Sequence, residues 1–331
     1  MGSFEWETAD RFSDRLVFQT REWVGFVAHT QHAEPVVAKV LEGGTTVGYF
    51  TGLVQRRVAL PLLGSPMPGW TTPFMGFNLE PDVSRVSAVE ALVPFALREL
   101  RCVHLELHDR YLGPENSPAG FTQRPWTGLE VDLAQSEDAV WATLKAPCRT
   151  AIRKAQRHGV VVEEASDLGF ADEFYEQLRD VFAKQALVPP YGVERIRDLI
   201  RIVHPTGRLL LLRARSAEGD CIATGIFPAM NRTMHFLAGA SLRRHQHVRP
   251  NEALMWYALM YWKRRGVSAC DLGGFLDYKR KWGGHEVHVP SLSISRFRAL
   301  SHLRDAAERA HGLRRAAAGR LQQQFLRRHP G

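Results

Sequence analysis

The sequence predicts an α/β protein in which two similar units, each a mixed sheet with helices, follow one another along the chain. The first observation is a repeat: residues 89–97 have the period of an amphipathic helix and lead into an apolar strand at 101–107, and residues 251–259 and 266–272 repeat this order. Matching helix residues recur at one constant offset, as Glu90, Ala91, Leu92, Ala96 and Leu97 and then as Glu252, Ala253, Leu254, Ala258 and Leu259.

The second observation lies upstream of each helix, where two apolar strands flank a turn. Residues 36–50 and residues 209–227 share this plan, and each turn contains glycine. Chance could match a few residues in two amphipathic helices. The shared order of elements nevertheless favours a duplication.

The segment between the two repeats predicts a cationic helix. Residues 141–159 have a helical period apart from Pro147, and Gly159 stands where a helix C-cap is expected. Cations three or four residues apart can share one face of this helix: Arg149, Arg153, Lys154 and Arg157.

A strand at 160–164 and helices at 170–185 and 196–202 are predicted to follow. We place the domain boundary near residues 128–137. This gives an N-terminal domain over residues 1–132, a C-terminal domain over residues 133–296 and a tail over residues 297–331.

The composition is that of a globular protein with a basic surface. Lys and Arg number 43 against 35 Asp and Glu, and 45% of residues are hydrophobic. A basic protein binds anions, whether nucleic acid, phosphorylated small molecules or lipid head groups, and charge alone does not choose among them. The four cysteines follow no metal or disulfide pattern, which predicts a reducing compartment, the cytoplasm. No signal-peptide pattern opens the chain, and no apolar run approaches the roughly 20 residues needed to span a bilayer.

Nine arginines lie between Arg296 and the end of the sequence, and eight of them belong to the tail, residues 297–331. Its apolar residues at near-helical spacing predict an amphipathic helix. Three interpretations stay open: a helix packed on the second domain, an RNA-binding arm, and a surface helix on anionic lipid. Gly312 and Gly319 predict fraying towards the end.

The most informative motif is a glycine-rich, cationic loop that follows a strand, residues 271–284. Glycine lets backbone approach a ligand closely. Lys279, Arg280 and Lys281 supply positive charge where an anionic substrate or a developing oxyanion needs it. The loop therefore predicts a ligand-binding or catalytic site.

Three segments of the second half carry a family resemblance: residues 151–160, residues 247–254, and residues 271–274 followed by 278–284. In this order and spacing they resemble the Fem-type aminoacyltransferases and related acetyltransferases, which are built as two GNAT-like domains. The similarity is dense in the second half and loose in the first. It implies an α/β fold with α+β mixed sheets and two tandem GNAT-like domains, here followed by a basic, helical C-terminal tail.

The resemblance also implies the chemistry, which is transfer of an acyl group to a primary amine without a metal or a covalent enzyme intermediate. Fem-type members take an amino acid from aminoacyl-tRNA and attach it to an amine of a peptidoglycan peptide stem. We therefore expect no permanently bound cofactor, and aminoacyl-tRNA or acyl-CoA as co-substrate. His104, Glu106 and His108 alternate on a strand and share a face, but no further ligand is in view, so no metal site is predicted.

The predicted catalytic residues are Lys279, Tyr278 and Asp277. Lys279 aligns with the lysine of the family's aromatic-Lys motif, and a cation there stabilises negative charge on the carbonyl oxygen as the amine attacks. A solvated surface lysine is the alternative. The attacking amine must lose a proton, and Asp277 and Asp271 bracket the loop, although either could instead form a turn or cap the loop.

The loop before the second-repeat helix bears on the choice of donor. GNAT enzymes that use acyl-CoA cradle its pyrophosphate on a glycine-rich turn at a helix N-terminus, whereas residues 244–252 contain no glycine. This departure favours aminoacyl-tRNA without excluding acyl-CoA. The predicted donor-binding residues are Arg243, Arg244, Arg249, Asn251, Arg280, Lys281, Arg153 and Lys154.

The acceptor side is predicted to involve residues 63–76, a loop rich in Gly, Pro and aromatic residues. Trp70 and Phe74 are candidates for acceptor binding, with an apolar seam between domains as the alternative. Asp109 joins them because it ends the equivalent strand of the first repeat.

Together these observations predict a cytoplasmic N-acyltransferase that moves an acyl group, in the first place aminoacyl from tRNA, onto a primary amine of a small molecule or peptide, such as a cell-wall precursor. An acyl-CoA-dependent N-acetyltransferase is the alternative within the class. A non-catalytic module that binds RNA or a membrane surface is the alternative from another class. The oligomeric state stays open.

Overall fold

Strands from both halves of the chain join in one mixed sheet. The computed structural model describes residues 3–57, 59–116, 118–184 and 187–297. The strands of the first half are β1 Ala33–Glu42, β2 Thr45–Arg57, β3 Leu60–Ser65, β4 Gly76–Leu79, β5 His104–Leu107 and β6 Thr122–Asp132. Those of the second half are β7 Val161–Ala165, β8 Leu209–Arg215, β9 Cys221–Met230, β10 Thr233–His235, β11 Ala238–Ser241, β12 Ala269–Gly274 and β13 His285–Ser295.

Helices cover both faces of this sheet. In the first half they are α1 Ser3–Ala9, α2 Arg21–Gln31 and α3 Arg85–Pro94, the last continued by a π-helical segment, Phe95–Glu99. In the second half they are α4 Glu137–Thr143, α5 Ala146–Arg157, α6 Gly169–Lys184, α7 Val193–Val203 and α8 Pro250–Lys263. Short 3₁₀ segments at Arg243–Val248 and Asp277–Trp282 precede α8 and β13.

Both predicted repeats are present. β1 and β2 form a hairpin through Gly43 and Gly44, which have positive φ angles, and β8 and β9 form the equivalent hairpin. The predicted helix–strand pairs are α3 with β5 and α8 with β12. The mixed α/β fold is therefore confirmed.

The predicted single helix over residues 141–159 is two helices, α4 and α5. Pro147 lies in the first turn of α5, where its missing N–H costs no helical hydrogen bond, so the chain starts a new helix there. Gly159 has a φ of +69°, the left-handed conformation expected after a helix end. The predicted elements that follow are present as β7, α6 and α7.

The sheet is continuous because strands near the middle and the end of the described chain cross between the halves. Its order is β1-β2-β3-β5-β13-β6-β12-β10-β9-β8-β7. β13 pairs antiparallel with β5 on one side and with β6 on the other, and β6 pairs antiparallel with β12. The last described strand thus ties the first half of the chain to the second.

Three groups of buried apolar side chains form the core. One lies between β2, α3 and β5, with Leu292 of β13, and a second lies between α5, α8 and the strands of the second half. The third spans the two halves, because α2 packs on α7 and side chains such as Trp23 and Phe174 belong to one cluster. Burial on this scale supplies most of the folding free energy.

Within the described residues, no helix is both long and apolar enough to cross a membrane. The predicted basic tail lies outside the described residues except for Phe297.

Leu211 on β8 tests the core between the two halves. It is fully buried, so Leu211→Ala is expected to lower the free energy of unfolding by about 2–5 kcal/mol, because the missing methyl groups leave a cavity. Val161 on the neighbouring edge strand β7 is 60% exposed, and Val161→Ala should change the free energy of unfolding by less than about 0.5 kcal/mol. Urea denaturation followed by circular dichroism gives both values; equal effects would contradict this packing.

Candidate active site

The candidate site lies where two parallel strands stop pairing. β10 pairs with β12 as far as His235 and Asp271, and the N–H of Phe236 donates one further bond to the carbonyl of Asp271. Beyond this point β11 pairs with β9, while β12 continues along β6 to Gly274 with an irregularity in register. The two strands therefore separate beyond His235 and Asp271, and we call the place where they separate the crevice.

Lys279 lies at this crevice. It is only 8% exposed, on the 3₁₀ segment after β12, and its ammonium donates to the carbonyls of Leu272 (2.7 Å) and Gly274 (3.0 Å). Its Nζ also lies 5.8 Å from the centroid of the Phe236 ring, on the other arm of the crevice. Burial lowers the pKa of Lys279, and the nearby Asp271 carboxylate partly opposes this effect.

An ammonium group has three N–H donors. Two are used on the carbonyls that flank Gly273, whose φ of +75° turns the chain here. In the part of the chain that the structure describes, the third N–H has no assigned partner. Lys279 thus supports the glycine turn.

A buried polar cluster lies directly behind the crevice. Asp271 is 3% exposed, and its Oδ1 accepts from the N–H of Gly273 at 2.6 Å. Its Oδ2 lies 3.5 Å from Nε of Arg110 and 3.8 Å from Nδ1 of His235. Arg110 also pairs with Glu130 on β6. Arg110 follows β5, so one guanidinium joins the two halves at the point where the strands separate.

Burial shifts the protonation equilibria of this cluster. It raises the pKa of Asp271, which Arg110 opposes, and it lowers the pKa of His235 to about 3. Among the described residues, neither Oδ2 of Asp271 nor Nε2 of His235 has a hydrogen-bond partner. The cluster holds an uncharged imidazole beside a carboxyl group whose proton affinity is increased.

Three other residues of the cationic turn, the 3₁₀ segment Asp277–Trp282, are exposed: Asp277, Tyr278 and Arg280. Tyr278 is 57% exposed and the Asp277 side chain 96% exposed, so neither contacts the buried cluster. Arg280 pairs with Glu286, and its guanidinium lies over the ring of Phe275. The catalytic roles of Tyr278 and Asp277 stay predictions; the buried carboxyl group beside Lys279 belongs to Asp271.

The predicted donor residues lie on three segments: residues 243–251, the cationic turn and α5. Arg243 is held by Asp180 through both its backbone N–H and its guanidinium, and Asn251 donates to Ser241. Arg244 and Arg249 are exposed on the segment before α8.

Lys281 and Arg153 differ in their surroundings. Lys281 forms a 2.7 Å ion pair with Glu252 in the first turn of α8. Arg153 and Lys154 lie on α5, where Arg153 stacks over Trp141. The donor-binding roles of all of these residues stay predictions.

The predicted acceptor residues are buried. Trp70 and Phe74 are at most 1% exposed and belong to the core cluster that spans the two halves, which agrees with the apolar-seam alternative. Asp109 is 1% exposed and accepts from the N–H groups of Phe77 and Tyr111. Acceptor binding by these three side chains stays a prediction.

The sequence alone does not identify Arg110 and His235 as members of this buried polar cluster. Arg110 is a single cation after β5, and its role depends on pairing with β6 and β12, which no local pattern reveals. His235 lies in an otherwise ordinary apolar strand. His108 stands out in the sequence only as a candidate metal ligand; its Nδ1 is 2.7 Å from the carbonyl oxygen of Pro73, and its ring packs on Phe74.

Metal-ligand geometry is absent from the described residues, which contain no group of three or more His, Cys, Asp or Glu side chains placed to bind one ion. His104 instead lies 2.8 Å from Glu106 and 2.7 Å from Ser295 through its two ring nitrogens.

Comparison with models of protein families gives a match in the second half of the chain. Residues 144–285 match the model of the acetyltransferase (GNAT) domain family. The search of curated proteins gives no match. The segment that contains β7 to β12 and the cationic turn is therefore similar to GNAT acetyltransferase domains.

Solved structures extend the likeness to nearly the whole chain. The crystal structure of FemX is similar with a TM-score of 0.74 and 13% identity, covering 90% of this chain and 97% of that chain. The C-terminal domain of a putative lysylphosphatidylglycerol synthetase from Agrobacterium fabrum gives 0.56 and 11% identity, with 85% and 90% coverage. L-PGS from Bacillus licheniformis gives 0.54 and 11% identity, with 90% and 98% coverage.

The fold and the domain match define a GNAT-fold acyltransferase. Its fold is similar to that of FemX. The predicted resemblance to Fem-type GNAT acyltransferases is confirmed.

Substitution of Gly283 tests whether acyl transfer depends on the position of the cationic turn. Its φ is +75°, and a Cβ there would lie 2.2 Å from the carbonyl oxygen of Thr143, so Gly283→Ala must displace the turn from the loop between α4 and α5. Gly207 has a φ of +71° but no atom within 4 Å of its Cβ position, so Gly207→Ala has only the left-handed backbone strain, about 1–2 kcal/mol.

We expect Gly283→Ala to lower the kcat of acyl transfer at least tenfold and Gly207→Ala to lower it less than twofold. Both are measured at a temperature where circular dichroism shows folded protein. Equal activity of the two variants would show that the turn tolerates displacement.

His235 gives the protein a pH-dependent stability. Its pKa is lower in the folded state, about 3, than in the unfolded chain, about 6.5. The unfolded state therefore binds more protons in this window, and stability falls as pH drops from about 6.5 towards 3, by up to about 1.4 kcal/mol per pH unit.

His235→Gln should flatten the pH dependence of the free energy of unfolding between pH 6.5 and 4. Urea denaturation at several pH values measures the slope for this variant and for the wild type. A wild-type slope retained in His235→Gln would contradict the buried, neutral imidazole.

Proposed function

We propose that the protein transfers an aminoacyl group from aminoacyl-tRNA to a primary amine, with the reaction at the crevice between β10–β11 and β12. The observation that carries the proposal is the Lys279 ammonium, which is fixed by two backbone carbonyls and keeps one N–H donor at the point where the strands separate. A cation fixed in advance stabilises an oxyanion without reorganising during the reaction.

In the proposed reaction, the neutral amine attacks the ester carbonyl carbon, and the carbonyl oxygen becomes an oxyanion beside Lys279. The C–O bond to the ribose then breaks, and the ribose oxygen accepts a proton in place of the one that the amine loses. Asp271 is the buried carboxyl group whose charge acts on Lys279, and burial raises its pKa, which makes its carboxylate a better proton acceptor than an exposed one. Asp271 is buried, so a water molecule or movement of the turn has to connect it with the amine.

The N-terminus of α8 favours a donor other than acyl-CoA. In that first turn, Pro250 has no N–H, and Glu252 places a buried carboxylate where the helix dipole would otherwise attract a phosphate. Lys281 neutralises this carboxylate at 2.7 Å. Residues 244–252 thus lack the glycines that would let backbone N–H groups approach a pyrophosphate closely.

The structural neighbours are compatible with aminoacyl transfer. Two of them carry the name lysylphosphatidylglycerol synthetase or its abbreviation, and FemX has the highest TM-score of the three described above. Acyl-CoA-dependent acetyl transfer is the second candidate, because the matched domain family is named for acetyltransferases.

For the acceptor, we propose a primary amine on a cell-wall precursor or small metabolite, held between an acceptor-side domain of residues 1–132 and a donor-side domain of residues 133–296. The cytoplasm is the proposed location, since aminoacyl-tRNA is found there. Acceptor binding by Trp70, Phe74 and Asp109 remains part of the proposal. Because their side chains are buried, they would act on the acceptor through the residues that they pack against.

Lys279→Met tests the proposed oxyanion contact. Removal of the ammonium should lower kcat by about 10²–10³-fold with a smaller change in KM, because the contact forms with charge that develops in the transition state. Lys263 is a matched control: it also donates to two backbone carbonyls, those of Leu133 and Gln135, but lies on α8. Lys263→Met should change kcat less than threefold.

Transfer is measured with radiolabelled aminoacyl-tRNA and, separately, with labelled acetyl-CoA, against a pool of primary amines. Label transfer from aminoacyl-tRNA that RNase abolishes supports the proposed donor. Transfer from acetyl-CoA alone would replace it with the second candidate, and wild-type turnover by folded Lys279→Met would remove Lys279 from the chemistry.

A further inference from the structure

The outward face of α5 holds cations that have no carboxylate partner among the described residues. Arg153 and Arg157 are exposed, Lys154 is partly exposed, and none of the three forms an ion pair there. By contrast, exposed Arg264 on α8 is bound by Glu137, and Arg213 on β8 is bound by Asp167 and Glu173. The charge on α5 is therefore uncompensated, which is the arrangement that an anionic ligand requires.

Aromatic side chains lie next to these cations. The Arg153 guanidinium is 5.4 Å from the ring centroid of Trp141 on α4, and Trp141 packs edge-on against Trp256 on α8 at 4.9 Å. Both tryptophans are partly exposed. Flat rings beside arginines are the features on which proteins stack the bases of single-stranded nucleic acid while holding its phosphates. We call Trp141, Arg153, Lys154, Arg157 and Trp256 the α5 surface.

The N-terminal end of α5 contacts the cationic turn of the candidate active site. The N–H of Lys145, which precedes α5, donates to the carbonyl of Lys281 in the cationic turn at 2.9 Å. From there α5 runs for 12 residues, about 18 Å, away from the turn. Thr150, Arg153, Gln156 and Arg157 lie side by side on the open face of this helix. A polyanion on the helix would thus lead its end to Lys279.

We propose that the α5 surface binds the RNA part of the donor, with phosphates on Arg153, Lys154 and Arg157 and an unpaired base on the tryptophan pair. The proposal rests on aminoacyl-tRNA as the donor. It assigns binding of the RNA chain to α5 and stabilisation of the reacting carbonyl to the turn that contains Lys279.

RNA fits this surface better than a lipid membrane. Helices that bind membrane surfaces insert large apolar side chains beside their cations. In the described part of the chain, the exposed large apolar side chains lie outside α4, α5 and α8: they are Leu41, Leu60, Tyr111, Val161, Leu168, Leu276, Tyr278 and Phe297. The α5 surface offers stacking faces and guanidinium groups instead.

The test compares two double variants of the full chain. Arg153→Ala/Arg157→Ala removes two cations of the α5 surface. The control Arg21→Ala/Arg98→Ala removes two exposed arginines of the first half that also lack a carboxylate partner among the described residues. Both lower the net charge equally, so non-specific attraction changes equally.

Fluorescence anisotropy with labelled bulk tRNA measures the affinity as a function of salt. We expect the α5 variant to raise Kd about tenfold and to reduce the slope of log K against log salt by about 0.7 for each phosphate that the variant no longer binds. The control should bind like the wild type. Trp256→Phe should retain binding, whereas Trp256→Leu, checked for folding by its Tm, should weaken it at least fivefold.

Kinetics separate this proposal from the proposed function. With aminoacyl-tRNA as donor, the α5 variant should raise KM for tRNA about tenfold and leave kcat and the KM of the acceptor unchanged. If the wild type transfers from aminoacyl-tRNA and the α5 variant has the wild-type KM for tRNA, the proposed RNA binding by the α5 surface is wrong. The proposed function then still holds. If the wild type transfers only from acetyl-CoA, the proposed function fails.

Three binding results would overturn the proposal: equal tRNA affinities of the α5 variant and the control, an unchanged salt slope, and α5-dependent binding of vesicles containing anionic phosphatidylglycerol without α5-dependent binding of tRNA.

Discussion

The structure depends on the point at which β10 and β12 stop pairing. Their last shared residues, His235 and Asp271, are both buried, and an arginine from the other half of the chain, Arg110, reaches the same point. Groups of this kind are stable in a protein interior only when their partners are fixed. The fixed cluster therefore sets where the strands separate, and with it the position of the glycine turn and of Lys279.

The sequence predicts the elements of the fold better than their connections. The hairpins follow from apolar runs around glycine turns, and α3 and α8 follow from amphipathic period, because these signals are local. Pro147 is compatible with the start of a helix, yet the long helical period around it favours continuity. The pairing of β13 with both β5 and β6 joins residues far apart in sequence, and hydrophobic pattern alone does not specify such partners.

The same distinction holds for the site. Lys279 can be found from sequence because it lies in a glycine-rich motif of one segment, where residue type and spacing carry the information. Arg110 and His235 cannot, because each acts through contacts made by tertiary structure. Asp277 looks equivalent to Asp271 in sequence, since both bracket the loop. Burial separates them: a carboxyl group 3% exposed has a raised pKa, and one whose side chain is 96% exposed makes only a 3.8 Å approach to Arg280.

The hydrogen bonds of Lys279 explain how one residue can serve both structure and chemistry. Carbonyls of Leu272 and Gly274 hold the ammonium in place, so its position does not depend on bound substrate. Burial lowers its pKa, but neutral carbonyl partners, unlike a carboxylate in direct contact, leave its charge uncompensated. Lys281 shows the contrast, because Glu252 neutralises it at 2.7 Å. This difference between two lysines of the same turn supports the proposal that Lys279, and not Lys281, stabilises the oxyanion.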